Sequence, residues 1–245
     1  MTLSPSALNV RCILLDIEGT TTPIAFVHEV LFPFARARVS DYLASHTTSE
    51  QVHRDLALLR EEHAKDVQQQ LDPPALKDSP ESIVRYIHWL MDRDRKSTGL
   101  KSLQGRIWEQ GYGDGTLKAA MFRDVPQALE RWRSAGLRLA ILSSGSVLAQ
   151  KLLFAHTTAG DLTGFLEGYF DTTTGPKADP ESFRRIASEL RLSPQQILFL
   201  SDVSAELDAA EAAGMRSVLC VRPGNLPQPA THNRPTIRTF DEIEK

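Results

Sequence analysis

The chain has 245 residues, with 28 Lys and Arg against 31 Asp and Glu, and a formal net charge of -3. It has no long run of one charge sign, which excludes the basic surface of a nucleic-acid-binding or membrane-surface protein. The first residues lack the basic and apolar segments of a signal peptide, and no apolar run approaches the ~18 residues of a membrane span. We therefore expect a cytoplasmic monomer with no nucleic-acid or membrane partner.

Four apolar stretches predict strands that are covered on both faces. CILLDI begins at Cys12, and LRLAIL, ILFLSD and SVLCV end at Leu142, Asp202 and Val221. These stretches do not alternate between apolar and polar residues, which is typical of strands in a parallel sheet with helices on both faces. Strands that alternate with loops and helices indicate a doubly wound, Rossmann-like parallel α/β sheet. Cys12 and Cys220 lie inside these stretches, so two buried thiols and no disulfide are expected.

Residues 23–116 interrupt this alternation. Their apolar residues recur at helical spacing, and none of their runs is typical of a strand. A crossover between neighbouring parallel strands needs only about a dozen residues. We therefore predict an all-helical cap domain over 23–116, inserted between the two parts of an α/β core domain at 1–22 and 117–245, with Thr-Thr-Thr-Pro as the linker. Four aromatic residues of this block would line a substrate or form its core: Phe26, Phe32, Phe34 and Trp108.

Polar side chains follow the predicted strands at the edge where open α/β sheets bind their ligands. The set consists of Asp16 and Glu18 after the first strand, Ser143 and Ser144 after the second, Asp202 after the third, and Lys177 in the loop before Pro180. Taken singly, such residues are often turn residues, helix caps or solvated loop lysines. Ordinary loops would rarely bring this complementary set to one sheet edge, so we predict a functional site there.

The chemistry of this set suits phosphoryl transfer. The carboxylate oxygens of Asp16 and Asp202 are ligands that Mg²⁺ prefers, and an aspartate can also act as a nucleophile that forms an aspartyl-phosphate. Serine hydroxyls and the amides of a helix start bind phosphate oxygens. Lys177 would neutralise charge on the nucleophile and on the transferring group. The sequence therefore predicts an Mg²⁺-dependent enzyme that acts on a small phosphorylated molecule.

The motifs LLDIEGTTTPI, ILSSGSVLAQKLLF and FLSDVSAELDAA resemble the haloacid dehalogenase superfamily and, within it, the enolase-phosphatases of methionine salvage. The resemblance implies a bifunctional reaction. The substrate 2,3-diketo-5-methylthiopentyl-1-phosphate would be enolised and then dephosphorylated to the acireductone 1,2-dihydroxy-3-keto-5-methylthiopent-1-ene. The implied roles are Asp16 as nucleophile and Mg²⁺ ligand, the Glu18 backbone carbonyl and Asp202 as further ligands, and Ser143, Ser144 and Lys177 as phosphate-binding residues. Glu206 matches the second acid of the last motif and would act through water or through Lys177.

Two roles stay open at this stage. Glu18 stands where the common superfamily pattern has an aspartate that serves as general acid and base. Its additional methylene, a reach of roughly 1.5 Å, suits proton transfer at a carbon acid or only local packing. The base for enolisation is not fixed by the sequence; His28 is a candidate, and a histidine on a helix surface is the alternative.

Other functions fit the sequence less well. A phosphatase of the same superfamily that acts on another small phosphorylated metabolite would share these site residues, so it stays as the alternative. A dehalogenase works without metal and would have no use for Glu18 or Asp202. A receiver domain of the response-regulator kind would have about half this length and would lack the helical insertion.

Overall fold

Six strands form one parallel sheet in the computed structural model, which describes residues 4–5, 9–227 and 234–244. The strands are β1 (Cys12–Leu15), β2 (Arg138–Leu142), β3 (Gly168–Phe170), β4 (Ile197–Ser201), β5 (Arg216–Cys220) and β6 (Thr236–Ile237). Their order across the sheet is β3-β2-β1-β4-β5-β6, and every pair is parallel. The predicted doubly wound sheet is confirmed. The strand order reverses between β1 and β4, which is where sheets of this kind bind ligands.

The helices fall into two groups along the chain. They are α1 (Ile24–Phe26), α2 (Phe32–Ser45), α3 (Glu50–Gln68), α4 (Pro80–Asp92), α5 (Thr98–Gly113), α6 (Val125–Ser134), α7 (Val147–Ala155), α8 (Pro180–Leu190) and α9 (Ser204–Ala212). A π-helical turn over Val27–Leu31 joins α1 to α2. Helices α6 to α9 alternate with the strands, whereas α2 to α5 follow one another without a strand. The inserted all-helical block predicted from the sequence is therefore present.

The ends of α9 show how local sequence sets the elements around the sheet. Gly214 has a φ of +92°, and two amides close the helix: Gly214 N donates to Glu211 O at 2.8 Å, and Met215 N donates to Ala210 O at 2.9 Å. This is the Schellman arrangement, which favours glycine because the left-handed conformation is strained for residues with a Cβ. The helix therefore stops at this glycine, and β5 begins two residues later, at Arg216.

The chain divides into two compact units, residues Met1–Val27 with Lys118–Lys245, and residues His28–Leu117. The first junction lies after Val27, five residues beyond the predicted limit at 22. The Thr-Thr-Thr stretch is not a linker: Thr20, Thr21 and Thr22 are fully buried, and their amides all donate to Ile17 O. These hydrogen bonds fold the stretch into the loop that follows β1, so it belongs to the α/β unit.

The helical unit has its own core. Trp108 Nε1 donates to Leu31 O at 2.8 Å, and the Trp108 ring stacks on Phe32 with centroids 6.3 Å apart. Asp66 is buried and binds both the Tyr86 hydroxyl and the Arg95 guanidinium at 2.7 Å. These contacts make Trp108 a core residue of this unit, which is one of the two roles that the sequence allows.

Three details differ from or complete the sequence analysis. The short strands β3 and β6 were not predicted, because three and two residues carry too little pattern to separate a strand from a loop. Cys12 and Cys220 are buried and free, as expected. Among the described residues, no helix is long and apolar enough to cross a membrane.

Candidate active site

Asp16 and Asp202 lie side by side at the point where the strand order reverses. Strands β1 and β4 are hydrogen-bonded neighbours, with Leu15 opposite Leu200, and each aspartate follows its strand within two residues of that pair. Asp16 N donates to Leu200 O at 3.0 Å, which continues the ladder beyond the strand. Both side chains are nearly buried, with 3% and 6% of the residue exposed. The sheet therefore brings together the two carboxylates that the sequence singles out.

The loop after Asp16 is fixed by its own backbone. Ile17 O accepts hydrogen bonds from the amides of three consecutive threonines, and Gly19 N donates to Thr22 O at 2.8 Å. In a planar trans peptide the carbonyl points opposite to the amide of the next residue, so the Glu18 carbonyl points away from Thr22. Gly19 has a φ of +73°, and a Cβ on it would collide with the carboxylate of Asp202. Glycine is needed here for both its conformation and its lack of a side chain.

Lys177 reaches the site from the loop before α8. Its Nζ lies 2.5 Å from Asp16 Oδ1 and 2.7 Å from Glu206 Oε2, and the side chain is only 10% exposed. Burial lowers the pKa of Lys177, but the two neighbouring carboxylates outweigh burial and raise it above its usual value, so the ammonium stays charged. The lysine thus bridges the acid after β1 and the acid on α9.

The loop that carries Lys177 is tied to the first turn of α8. Asp179 caps this helix by accepting a hydrogen bond from Glu181 N at 2.9 Å, and Asp179 N donates to Pro176 O at 3.1 Å. Gly175 has a φ of +138°, and a Cβ on it would collide with the Ser182 hydroxyl. The Gly-Pro pair before Lys177 is therefore part of a packed turn that sets the position of the lysine.

Glu206 is held in place from the end of β4. Ser201 Oγ donates to Glu206 Oε2 at 2.9 Å and accepts a hydrogen bond from Val203 N at 3.1 Å. Ser201 is fully buried. The residues of this segment therefore place one acid, Asp202, beside Asp16, and direct another, Glu206, towards Lys177.

The site holds more negative than positive charge. Burial first, and then repulsion from Asp16 and Glu206, raises the pKa of Asp202 to about 7. Burial and repulsion from Asp16 also raise the pKa of Glu206 to about 7, although Lys177 and Ser201 act in the opposite direction. Three clustered carboxylates beside one ammonium therefore favour proton uptake when no further cation is bound.

The raised pKa of Asp202 predicts that the metal-free chain becomes less stable as the pH rises. Because the folded-state pKa of Asp202 lies above its unfolded value of 3.8, the folded state binds more protons between about pH 4 and 7, and the free energy of unfolding falls as the pH rises through that window. The Asp202→Asn variant should lack this fall. Relative to the unsubstituted chain it should gain a few kcal/mol between about pH 4.5 and 7.5, since one pKa unit corresponds to about 1.4 kcal/mol.

Urea unfolding in the presence of a chelator, at about pH 4.5 and about pH 7.5, measures this difference in unfolding free energy. Asp208→Asn is the matched control, because its carboxylate is on the exposed side of α9, bound to Arg234. A difference between Asp202→Asn and the unsubstituted chain that is the same at both pH values would show that Asp202 is not destabilised by its neighbours.

In the loop after β2, the residues that cap α7 are not the two serines that are predicted to bind phosphate. The first turn of α7 is capped by Ser146, whose Oγ accepts a hydrogen bond from Ala149 N at 3.3 Å, and by Asp171, whose Oδ2 accepts one from Val147 N at 3.1 Å. Ser143 is half-buried and its Oγ accepts a hydrogen bond from Gly145 N, while Ser144 is exposed. Ser143 and Ser144 are therefore not the caps of this helix.

His28 lies in the other unit. Its side chain is exposed, and its ring makes an edge contact with Phe32 at a centroid distance of 5.5 Å.

Among the described residues, no three side chains of His, Cys, Asp and Glu group into a metal centre. A cation at the sheet edge would therefore need a ligand besides carboxylates, such as the backbone carbonyl that the sequence analysis assigns to Glu18.

Sequence comparison decides the family. A family model for haloacid dehalogenase-like hydrolases matches residues 10–214, which include Asp16, Lys177 and Asp202. This chain belongs to the haloacid dehalogenase-like hydrolases. The hydrolase is similar over nearly its whole length to proteins named Enolase-phosphatase E1. The one from Synechococcus elongatus is 52% identical over 98% of this chain and 100% of its own length, and the one from Sorangium cellulosum is 45% identical over 97% and 99%.

A solved structure extends the likeness to the fold of this hydrolase. The UTR4 protein of Saccharomyces cerevisiae is 34% identical, with a TM-score of 0.78 over 95% of this chain and 99% of that chain. From the family, we expect the hydrolytic site in the crevice between β1 and β4. Asp16, Asp202, Glu206 and Lys177 lie there.

Proposed function

We propose that this hydrolase is a bifunctional enolase-phosphatase. It would enolise 2,3-diketo-5-methylthiopentyl-1-phosphate and then hydrolyse the phosphate ester, giving the acireductone 1,2-dihydroxy-3-keto-5-methylthiopent-1-ene and phosphate. Relatives at 45% and 52% identity over nearly the full chain carry the name of that activity. The structural observation that supports it best is the buried ion pair of Lys177 and Asp16 beside Asp202, at the ligand-binding edge of the sheet.

Asp16 is the nucleophile in this proposal. Its carboxylate oxygen attacks phosphorus, the bond between phosphorus and the ester oxygen on C1 breaks, that oxygen takes up a proton, and an aspartyl-phosphate forms. Water then attacks that phosphorus, which releases phosphate and restores the carboxylate. Lys177 holds Asp16 in a fixed orientation and neutralises charge that builds up on the phosphoryl oxygens. The hydroxyls of Ser143 and Ser144 bind those oxygens next to the start of α7.

We further infer that the site takes Mg²⁺. The excess of carboxylates, which raises the pKa of Asp202, is what a divalent cation with oxygen ligands relieves. Asp16, Asp202 and the Glu18 backbone carbonyl would hold it. When bound, the ion neutralises charge on the transferring phosphoryl group. The proposal also assigns the helical unit, which follows the Asp16 loop directly in the chain, the role of a cap domain.

Glu18 is the candidate for proton transfer during enolisation. We expect Glu18→Asp to lower the enolisation rate at least ~10-fold, because shortening the side chain withdraws the carboxyl from the carbon acid, and general acid–base catalysis is worth about 10²–10⁴ in rate. Phosphate release from preformed enol phosphate should fall less than ~3-fold. The absorbance of the enol measures enolisation, and the concentration of free phosphate measures the release of phosphate. Glu61→Asp, exposed on α3, is the matched control; equal loss of both steps would contradict this role.

The substrate assignment is tested by offering two phosphate esters side by side with Mg²⁺. With the diketo phosphate we expect an enol signal and phosphate, and with a generic aryl phosphate slow hydrolysis alone. Fast hydrolysis of the aryl phosphate, together with no enol signal from the diketo phosphate, would instead indicate a phosphatase for another small phosphorylated metabolite.

A further inference from the structure

Asn225 lies at the sheet edge and has no role in the function proposed above. It follows the last residue of β5 by five positions, in the loop after that strand. Its Nδ2 donates to Gly19 O at 3.0 Å and to Cys220 O at 3.2 Å. One side chain thus ties the loop after β1 to the end of β5, across β4.

These two hydrogen bonds fix the orientation of the Asn225 amide. Both partners are backbone carbonyls, which only accept, so the NH₂ group must face them and Oδ1 must face the other way. The opposite orientation would set three acceptor oxygens against one another. The position of Oδ1 is therefore determined by chemistry and not by an arbitrary choice between two similar atoms.

Asn225 Oδ1 is a buried acceptor close to the carboxylate of Asp202. Asp202 Cγ and Asn225 Oδ1 both lie within 3.0 Å of the point where a Cβ on Gly19 would stand. Oδ1 is shielded from solvent, and no described residue donates a hydrogen bond to it. An unsatisfied buried acceptor costs about 1–3 kcal/mol, so native proteins usually pair such atoms with a protein group or an ordered water.

A water molecule held at the cation site is the donor that fits this position. With a cation bound, Asp202 is ionised, so it accepts hydrogen bonds but donates none and cannot satisfy Oδ1 itself. Magnesium usually keeps several of its waters, and each such water has protons to donate. A water between Asp202 and Asn225 would therefore have the two or more polar partners that a buried water needs.

We propose that Asn225 is a positioning residue of the Mg²⁺ site: its Nδ2 holds the backbone next to Glu18, and its Oδ1 accepts a hydrogen bond from a water that binds with the cation at Asp202. The inference rests on the proposed function, because it presumes the cation site. It adds a residue from the loop after β5, whereas the other assigned residues follow β1, β2 and β4 or lie in the loop before α8. Groups that orient the ligands of a metal typically change its affinity about 10–100-fold when they are removed.

The experiment is a calorimetric titration of the metal-free full chain with Mg²⁺ in the absence of substrate, together with its thermal unfolding. We expect Asn225→Ala to bind Mg²⁺ about 10–100-fold more weakly. Asn225→Asp keeps an oxygen where Oδ1 stands but sets its second oxygen against the carbonyls of Gly19 and Cys220, so its melting temperature should fall. Its Mg²⁺ affinity should stay closer to that of the unsubstituted chain than the affinity of Asn225→Ala does. Thr21→Val, which removes hydrogen bonds of the same loop to Asp16 O and Ile17 O, is the control for loosening without a change at the cation.

The outcomes separate the two proposals. Equal Mg²⁺ affinity of folded Asn225→Ala and the unsubstituted chain would overturn the role of Asn225 and leave the cation site intact. Equal weakening in the Ala, Asp and Thr21→Val variants would show that only the tether matters, which overturns the role of Oδ1. Absence of Mg²⁺ binding by the unsubstituted chain would overturn both the cation site and this inference.

Discussion

Asp16→Asn should lower the rate of phosphate release by about 10⁴-fold or more, the scale on which loss of a covalent nucleophile acts. The amide oxygen is a far weaker nucleophile, so the aspartyl-phosphate does not form. Lys177 would also lose the carboxylate that its Nζ contacts at 2.5 Å. The measurement is single-turnover release of phosphate at saturating Mg²⁺ and substrate.

Asp208→Asn controls for this change, because it makes the same substitution on an exposed part of α9. It should keep the unsubstituted rate. Circular dichroism and the melting temperature establish that both variants are folded. Turnover of Asp16→Asn within ~10-fold of the unsubstituted chain would remove Asp16 as nucleophile.

Lys177→Met should lower both activity and stability. Removal of one preorganised charge-stabilising group typically costs about 10²–10³ in rate. The variant also leaves Asp16 and Glu206 buried without their ammonium, and breaking a buried ion pair typically costs about 3–5 kcal/mol. We expect the loss of unfolding free energy to be larger near pH 8 than near pH 5, because protonation of the acids at lower pH relieves their repulsion.

Steady-state assays and urea unfolding at both pH values check this result. Lys65→Met, exposed on α3, makes the same substitution away from the site and should change neither quantity much. A Lys177→Met variant with unchanged stability at both pH values would show that the buried ion pairs are not what holds these acids together.

Much of the fold follows from the sequence, because the long strands are covered on both faces. The stretches that form β1, β2, β4 and β5 are continuous apolar runs, and their pattern predicts a parallel sheet. The sheet rule then places Asp16 and Asp202 at one edge. The extent of the β1 loop could not be predicted in the same way. Three threonines before a proline have the composition of a linker, and only their burial and their local hydrogen bonds to Ile17 O show that they belong to the core.

The candidate site was predictable as a list of residues but not as a network. The sequence predicts that Lys177 neutralises Asp16, but it does not show that the same ammonium also contacts Glu206 directly. The role of Ser201 in holding Glu206 depends on the turn through Val203, which the last motif contains but does not reveal. Asn225 has no sequence signal beyond its place after a strand, because its importance arises from an orphaned oxygen that becomes visible only when the loops are folded.

A stopped-flow experiment on a single turnover tests the central claim most directly. The metal-loaded full chain is mixed with the diketo phosphate, and enol absorbance and free phosphate are followed in the same sample, while quenched aliquots are analysed for phosphate bound to the peptide that contains Asp16. The account predicts that the enol signal rises first, that the aspartyl-phosphate then forms and decays, and that free phosphate appears last. Release of phosphate without a preceding enol signal, or with no phosphate bound to Asp16 at any time, would contradict it.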